Sequence, residues 1–180
     1  MIGANEQCRF AEVIKLPPPQ RQLVDVEQLL KEIELLMRVE SQERQIAWEW
    51  EVEEELEPIS MDRTQMEQVF VNVLKNAVEA IGENGKVTLR LGRTEGRSYA
   101  IVEDTGVGIA ADIKENLFTP FFSTKENGQG IGLTMIQEIL SRHGFEFFLI
   151  IHDKTNLFGF HRDESTTLHN PRRLLSALVC

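Results

Sequence analysis

An amphipathic run from Asp62 to Ile81, followed directly by two β-rich runs, limits what this chain can fold into more than any other feature. Apolar residues recur in it at steps of three and four, the spacing of a helix with one buried face. After Gly82 and Gly85 end the pattern, KVTLRLG and SYAIVED are joined by RTEG, whose glycine and polar residues predict a hairpin. The chain is therefore expected to combine a long helix with a sheet.

Helical and strand patterns also flank this unit. Asp25 can cap a helix whose apolar residues are expected to cover one side of a sheet: Leu29, Leu30, Ile33, Leu36 and Met37. Ile46, Trp48, Trp50 and Val52 form the apolar half of a two-residue alternation, which predicts a half-exposed strand with these residues on its buried face, at a sheet edge. Ile131 to Arg142 has helical spacing, and FEFFLII and TNLFGFH predict two later strands. Short helices are predicted around 112–117 and from Asn170 onward.

Composition limits the partners. With 180 residues, 42% of them hydrophobic, the chain is long enough for one core. Its net charge of -10 argues against nucleic acid, whose binding depends on clustered Lys and Arg. Cys8 and Cys180 form no disulfide framework, which favours a reducing, cytoplasmic location. No apolar run approaches the roughly 20 residues that cross a bilayer, so no direct membrane contact is expected from this segment.

A polar strip runs along the predicted helix from 63 to 81. Asn72, Asn76 and Glu79 are spaced by four and three residues and so share one face. An asparagine oxygen is a neutral, hard ligand that can hold magnesium beside phosphates, which makes Asn76 the candidate metal ligand. Solvent-facing polar positions would give the same spacing, so this pattern alone does not decide between the two interpretations.

A first glycine motif, EDTGVGI, follows the second strand of the hairpin. Asp104 can accept a hydrogen bond from the amino group of adenine, where guanine would present a repelling carbonyl oxygen. Gly106 and Gly108 allow the backbone to approach a flat ligand because they have no Cβ. An ordinary Asp-Thr-Gly turn is the alternative interpretation.

A second glycine motif, GQGIGL, places Gly128, Gly130 and Gly132 directly before a helix. Unhindered N–H groups there can face phosphates, although a flexible loop or helix cap has the same composition. The motif does not follow a strand, so the dinucleotide-binding fingerprint is disfavoured. Between the two motifs, LFTPFFSTK combines an aromatic cluster with Lys125, which indicates the hinge of a mobile loop or an ordinary packing cluster.

NVLKNAVEAI, EDTGVGI, FTPFFSTK and GQGIGL occur in the order of the N, G1, F and G2 boxes of histidine kinases. Over residues 20–150 the chain resembles the catalytic domain of sensor histidine kinases, with NAVEA most similar to the nitrogen-regulation branch. The resemblance implies the Bergerat ATP-binding fold of the gyrase, Hsp90, histidine kinase and MutL superfamily. That fold is an α/β (α+β) two-layer sandwich, in which helices cover one face of a mixed sheet and ATP binds beneath a lid.

The same resemblance implies roles for individual residues. Asn76 is expected to coordinate Mg²⁺, Asp104 to recognise adenine and Asn72 to support the phosphates of ATP. Asn72, Asn76 and Lys125 are the expected catalytic residues. The remaining nucleotide contacts are expected from Glu79, Ala80, Gly106, Gly108, Ile109, Phe118, Thr124, Lys125, Gly128, Gly130, Ile131, Gly132 and Leu133.

The neutral side chain at Asn72 bears on the reaction. Gyrase-like and Hsp90-like relatives carry an acidic residue at that place to activate water, and an amide is a poor general base. Transfer of the γ-phosphate to a histidine is therefore favoured over hydrolysis. Two alternatives stay open: an ATPase that uses Glu79, and a non-catalytic nucleotide-binding or interaction module.

The histidine that would receive the phosphate is not found in this sequence. None of the four histidines begins the acidic His-Glu motif of the family: His143, His152, His161 and His169. Residues 1–20 resemble the end of a dimerisation helix with a proline-rich linker, 21–161 the kinase-like ATPase domain, and 162–180 a tail. Residues 152–180 match the family poorly. The expected partners are a histidine-containing dimerisation domain, in the same longer chain or in trans, and a downstream response regulator.

Overall fold

The protein is seen here in a computed structural model that describes residues 16–94, 96–108, 119, 130–152 and 155–163. In chain order its elements are β1 (Gln22–Val24), α1 (Val26–Glu40), a 3₁₀ turn (Gln42–Arg44), β2 (Ala47–Val52), β3 (Ile59–Met61), α2 (Arg63–Ile81), β4 (Lys86–Thr94), β5 (Arg97–Asp104), α3 (Gly132–His143), β6 (Glu146–His152) and β7 (Thr155–Asp163).

Five strands form a mixed sheet in the order β2-β4-β5-β7-β6. β2 runs parallel to β4, and the other neighbours are antiparallel. β4 and β5 are the predicted hairpin, in which Val87 pairs with Asp104, so β5 ends at the carboxylate as expected. The edge position of β2 and the two later strands are also confirmed.

The helices and one face of the sheet share a single hydrophobic core. α2 contributes most of its predicted apolar face, including Phe70 and Leu74, and the sheet contributes Leu89 and Val102. Residues of α1 and α3 belong to the same cluster. Burying one such side chain is worth about 1.5–3 kcal/mol. The observed architecture is therefore the predicted sandwich of helices on one face of a mixed sheet.

Side-chain and glycine caps fix where the helices begin and end. Asp25 accepts a hydrogen bond from the backbone N–H of Gln28 at 2.9 Å, and Asp62 accepts one from Gln65 at 3.0 Å. These aspartates satisfy N–H groups that the first turn of a helix leaves unpaired. At the other end of α3, Gly144 has a φ of 71°, the left-handed conformation that favours glycine.

Three details differ from the sequence-based expectations. β1 and β3 form a two-stranded antiparallel ribbon that was not predicted, because three-residue strands are too short to show a two-residue period. Leu36 was placed on the apolar face of α1 but is 50% exposed. Val52 was placed on the buried face of β2 but is 43% exposed, at the end of the edge strand.

Several predicted features lie outside the described residues. They are the helix around 112–117, the helix after Asn170 and the end of the dimerisation helix that precedes Leu16. In the part of the chain that the structure describes, no helix is long and apolar enough to cross a membrane.

Candidate functional site

Asp104 occupies the end of β5, in the middle of the sheet. Its side chain is only 6% exposed, and its Oδ1 accepts a hydrogen bond from the backbone N–H of Gly106 at 2.9 Å. The strand fixes the backbone of Asp104, and the local hydrogen bond fixes the orientation of its carboxylate. Such a buried, oriented, acceptor-only group can select a ligand that presents an N–H donor. The turn that the alternative interpretation predicted is also present, and it serves to hold the carboxylate.

The loop after Asp104 is joined to the last turns of α2. The backbone N–H of Val107 donates to the carbonyl of Ala80 at 3.0 Å. A Cβ on Gly106 would lie 2.4 Å from the carbonyl carbon of Ala80, far inside van der Waals contact, so only glycine permits this approach. The first glycine motif is thereby brought against the backbone of Ala80 and Ile81.

Thr105 makes a second connection that was not predicted. The backbone N–H of Lys86 donates to Thr105 Oγ1 at 2.9 Å, and the backbone N–H of Thr105 donates to the Lys86 carbonyl at 3.1 Å. A Cβ on Gly85 would lie 2.9 Å from the same hydroxyl oxygen and 2.5 Å from Ile81. The start of β4, the end of α2 and the first glycine motif therefore pack closely at one corner.

Asn72 faces the beginning of α3. Its Nδ2 donates to the Gln68 carbonyl at 2.7 Å, and its Oδ1 lies 3.2 Å from the position that a Cβ would take on Gly132. α3 begins after Ile131 without a side-chain cap. The first N–H groups of a helix have no intrahelical partner and attract anions, so this end of α3 is suited to phosphate.

Asn76 lies on α2 midway between these two contacts. It is half-buried, one turn after Asn72 and one turn before Ala80. A helix rises about 1.5 Å per residue, so Asn72 and Ala80 are separated by roughly 12 Å along α2. The groups that suit a nucleobase and the groups that suit phosphates therefore lie at opposite ends of one face of α2. Asn76 projects between them.

The side chains around Asn76 are consistent with a magnesium ion whose ligands come partly from the protein and partly from phosphates. Among the described residues no group of three or more His, Cys, Asp or Glu side chains could hold a metal ion by itself. Mg²⁺ in nucleotide sites usually takes one or two protein oxygens and completes its shell with phosphate oxygens and water. A single amide oxygen at Asn76 fits that arrangement.

The structure describes most of the predicted site residues. It brings Gly106 to Ala80 and Gly132 to Asn72, on the helix that also carries Asn76 and Glu79. Gly108 lies next to this corner, and Gly130 has a φ of 64°, so glycine is favoured there as well. Ile131, Gly132 and Leu133 begin α3. Other predicted residues lie outside the described part: Ile109, Phe118, Thr124, Lys125 and Gly128.

Thr134 is a polar residue of this region that was not predicted. It lies in the first turn of α3, and its buried hydroxyl has no hydrogen-bond partner among the residues that the structure describes. The sequence offered only a weak signal for it, namely a hydroxyl residue two positions after the last glycine of GQGIGL.

The profile of the family described as "Histidine kinase-, DNA gyrase B-, and HSP90-like ATPase" matches residues 61–168. The chain belongs to this family. The match includes α2, both glycine motifs and the sheet strands from β4 onward, which are the elements that build the site. Together with the similar proteins described next, this match confirms the resemblance to sensor histidine kinases.

Individual members of the family are similar over most of this chain. The signal transduction histidine-protein kinase AtoS of Escherichia coli (strain K12) is 35% identical over 125 residues, which are 69% of this chain and 21% of AtoS. The sensor histidine kinase ZraS of Salmonella typhi is 33% identical over 138 residues, which are 74% of this chain and 30% of ZraS. The chain thus spans a fifth to a third of the length of these relatives.

Solved structures of histidine kinases have the same fold. The catalytic domain of histidine kinase ThkA in a nucleotide-free form superimposes with a TM-score of 0.72 at 29% identity, covering 79% of this chain and 94% of that one. Full-length ShkA in complex with AMPPNP gives a TM-score of 0.74 at 27% identity, covering 92% of this chain and 36% of ShkA. The Bergerat-type architecture of a histidine kinase catalytic domain is therefore established for this chain.

Proposed function

We propose that this chain is the ATP-binding catalytic domain of a two-component sensor histidine kinase, and that it presents the γ-phosphate of Mg-ATP to a histidine on a separate dimerisation domain. The observation that carries the proposal is the double contact of α2, with Gly106 at Ala80 and with Gly132 at Asn72. Two glycine motifs that are far apart in sequence thereby border the helical face that carries Asn72 and Asn76. ATP would lie along that face.

Asp104 would select adenine at one end of this face. Its carboxylate is oriented by the N–H of Gly106 and is largely removed from water. A hydrogen bond to a charged acceptor in such a place is worth about 1.5–3 kcal/mol, which is enough to separate bases by tenfold or more. Guanine would place a carbonyl oxygen against the same carboxylate and lose this contact.

Asn72, Asn76 and the first turn of α3 would hold the phosphates. The Nδ2 of Asn72 donates to the Gln68 carbonyl, so the Oδ1 of the same amide faces Gly132. Asn76 would ligate Mg²⁺, which neutralises charge on the phosphates when it is bound. The two amides add no negative charge to a site that must accept a triphosphate. Lys125 and the glycine at 128 are proposed to act from the phosphate side.

Asn72 also argues for transfer rather than hydrolysis. Its Nδ2 donates to a backbone carbonyl, so the side chain is engaged in a structural hydrogen bond and has no basic group that could take a proton from water. Phosphoryl transfer depends mainly on positioning and charge stabilisation, which the amides and the end of α3 can supply. The nucleophile must then come from another domain.

His143 is not the acceptor. It is 2% exposed, its Nε2 lies 3.0 Å from the backbone nitrogen of Asp62 and its Nδ1 lies 2.7 Å from the Ile139 carbonyl oxygen. Both ring nitrogens are therefore occupied inside the protein. The phosphate acceptor is proposed to be a histidine of a dimerisation domain, and the downstream receiver a response regulator. We assign 21–161 to the catalytic domain, 1–20 to the linker side and 162–180 to a tail, in a protein whose catalytic part is cytoplasmic.

The decisive experiment mixes the chain with γ-labelled ATP, Mg²⁺ and a separately purified histidine-containing dimerisation domain. Acid-labile phosphohistidine on the added domain is the expected product, and it should be absent when the acceptor histidine is replaced by glutamine. Release of free phosphate without labelled histidine would support an ATPase that uses Glu79. ATP binding with neither product over a panel of dimerisation domains would support a nucleotide-binding module.

A further inference from the structure

Residues 16–21 form an extended strap across the ends of two helices. Pro17, Pro18 and Pro19 have no N–H groups and favour an extended path, so they are disfavoured inside a helix or a sheet ladder. Leu16 packs against the edge of the hydrophobic core. The strap is therefore seated on the domain, although it has no regular secondary structure before β1.

The end of α3 holds the strap at two points. Arg142 Nη1 donates to the Leu16 carbonyl at 2.8 Å, while its Nε bonds to Glu138 at 2.6 Å. In the opposite direction, Arg21 Nη2 donates to the backbone carbonyl of Arg142 at 3.0 Å. The two bonds between Arg142 and the strap join residues that are more than a hundred positions apart in the sequence, so they are contacts of the tertiary fold.

The start of α2 holds the strap at two further points. Gln65 is buried, and its Nε2 donates to the Pro17 carbonyl at 2.9 Å. The backbone N–H of Gln20 donates to Asp62 Oδ2 at 2.7 Å. The other oxygen of the same carboxylate caps α2 through Gln65. Asp62 therefore both caps α2 and binds the strap.

His143 lies directly behind Asp62. Its Nε2 accepts a hydrogen bond from the backbone N–H of Asp62, and the short contact to the Ile139 carbonyl places the ring proton on Nδ1. The ring also stacks on Phe145 with the centroids 5.8 Å apart. This geometry requires the neutral ring, because a second proton would sit on Nε2 and face the N–H of Asp62.

Burial is the main reason that the ring stays neutral near pH 7. Burial lowers the pKa of His143, and Arg21 of the strap lowers it further, whereas the Ile139 carbonyl and the Asp62 carboxylate act in the opposite direction. Burial would raise the pKa of Asp62, but the backbone N–H groups of Gln65 and Gln20 outweigh it and keep that pKa low. Asp62 thus stays ionised in mild acid, so that His143 is the group of this pair that can change its charge there.

We propose that residues 16–21 are a latch that fixes the catalytic domain to the segment before it, and that His143 keeps this latch closed by holding Asp62 in place. When the ring takes a second proton, its Nε2–H faces the backbone N–H of Asp62, and two donors cannot form a hydrogen bond. Asp62 therefore moves, and the hydrogen bond from the Gln20 amide to its Oδ2 breaks. The latch opens and the domain becomes free to change its orientation.

The latch is separate from the nucleotide face. Asp62 caps the start of α2 and precedes Asn76 by fourteen residues. At about 1.5 Å per residue, the two are separated by about 21 Å along the helix. Opening the latch should therefore leave ATP affinity unchanged. Its effect on phosphate transfer rests on the proposed function, since the segment before the strap would lead to the histidine-bearing domain. The latch would set how the two domains face each other.

Hydrogen exchange at the Gln20 amide tests the latch on the intact chain. Exchange is measured between about pH 7.5 and about pH 5.5 and corrected for the intrinsic rate at each pH. At the higher pH the amide should be protected, and protection should fall roughly tenfold in mild acid, the effect of losing one hydrogen bond to a charged acceptor. In His143→Gln, an uncharged acceptor remains near Asp62, so protection should no longer depend on pH.

Two further variants separate the latch from general loss of stability. Asp62→Asn keeps an oxygen that caps α2 but replaces an acceptor with a donor, so the Gln20 amide should lose protection at both pH values. Arg63→Gln is the matched control, because Arg63 pairs with Glu32 on the adjacent surface and forms no hydrogen bond or ion pair with the strap among the residues that the structure describes. In Arg63→Gln, the Gln20 amide should exchange at the same rate as in the wild type at both pH values.

Exchange of the wild-type Gln20 amide at its intrinsic rate near neutral pH would overturn the latch. Equal protection in neutral and mildly acidic solution, or unchanged pH dependence in His143→Gln, would overturn the role of His143. ATP affinity is measured on the same samples. Loss of ATP binding in the wild type would count against the proposed function and leave the exchange result intact, whereas loss in the latch variants alone would contradict the separation of latch and site.

Discussion

The contact between Gly106 and Ala80 yields the most specific prediction, through the substitution Gly106→Ala. The added Cβ would lie 2.4 Å from the Ala80 carbonyl carbon and 2.6 Å from its oxygen. These are backbone atoms of α2, so no side-chain rotation can relieve the clash. The loop must move away by about 1 Å to restore ordinary contact, and the hydrogen bond from Val107 to Ala80 is then lost.

The expected cost follows from these two effects. Overpacking costs about 1–3 kcal/mol and the lost hydrogen bond about 1 kcal/mol, so the free energy of unfolding should fall by about 2–4 kcal/mol. The carboxylate of Asp104, at the end of β5, is held by the N–H of Gly106, which belongs to the displaced loop. Its displacement should weaken binding of Mg-ATP by more than about tenfold. Urea denaturation and calorimetric titration below the unfolding midpoint measure the two quantities.

Gly96→Ala provides the control for this experiment. Gly96 has a φ of 76° and no atom within 4 Å of an added Cβ, so alanine there is strained by its backbone conformation alone. It should cost about 1 kcal/mol of stability and leave ATP affinity unchanged. If Gly106→Ala binds Mg-ATP as tightly as Gly96→Ala does, the first glycine motif does not position the nucleotide.

Three further changes test other parts of the structure. Asp104→Asn should lower ATP affinity by roughly tenfold, whereas Glu103→Gln, on the opposite face of β5, should not; equal effects in calorimetry would refute the adenine contact. Glu34→Ala should lower the free energy of unfolding by about 1–2 kcal/mol, because it leaves the half-buried indole N–H of Trp50 without its acceptor at 2.6 Å; a change below about 0.5 kcal/mol in urea denaturation would contradict this. Because the lowered pKa of His143 means that the unfolded chain binds its proton more readily, stability should fall as the pH drops below about 6.5, and this slope should be weaker in His143→Gln.

The sequence was most informative where a pattern repeats along a single element. α2 spans enough turns for its apolar face to be read from spacing alone, and the cap at Asp62 marked its start. The hairpin was predictable because the turn residues lie between two β-rich runs. The family resemblance then assigned roles to residues such as Asn76 that spacing alone left undecided.

Contacts between distant segments could not be predicted. Nothing in the sequence indicates that Gly106 meets the backbone of Ala80, or that Asn72 faces the start of α3, because those approaches depend on how the helices pack. The strap is a similar case. Its prolines predicted an extended connector, but its attachment through Gln65 and Asp62 joins residues more than forty positions apart. Short elements such as β1 also gave no usable period.

The central claim is that Asn76 holds magnesium beside ATP on the face of α2 between Ala80 and Asn72. The most direct test measures ATP affinity with and without Mg²⁺ for the wild type, for Asn76→Ala and for Gln68→Ala, which removes an exposed amide from the same helix. Magnesium should strengthen ATP binding by more than about tenfold in the wild type and in Gln68→Ala, and by little in Asn76→Ala. An equal magnesium effect in all three proteins would contradict the account.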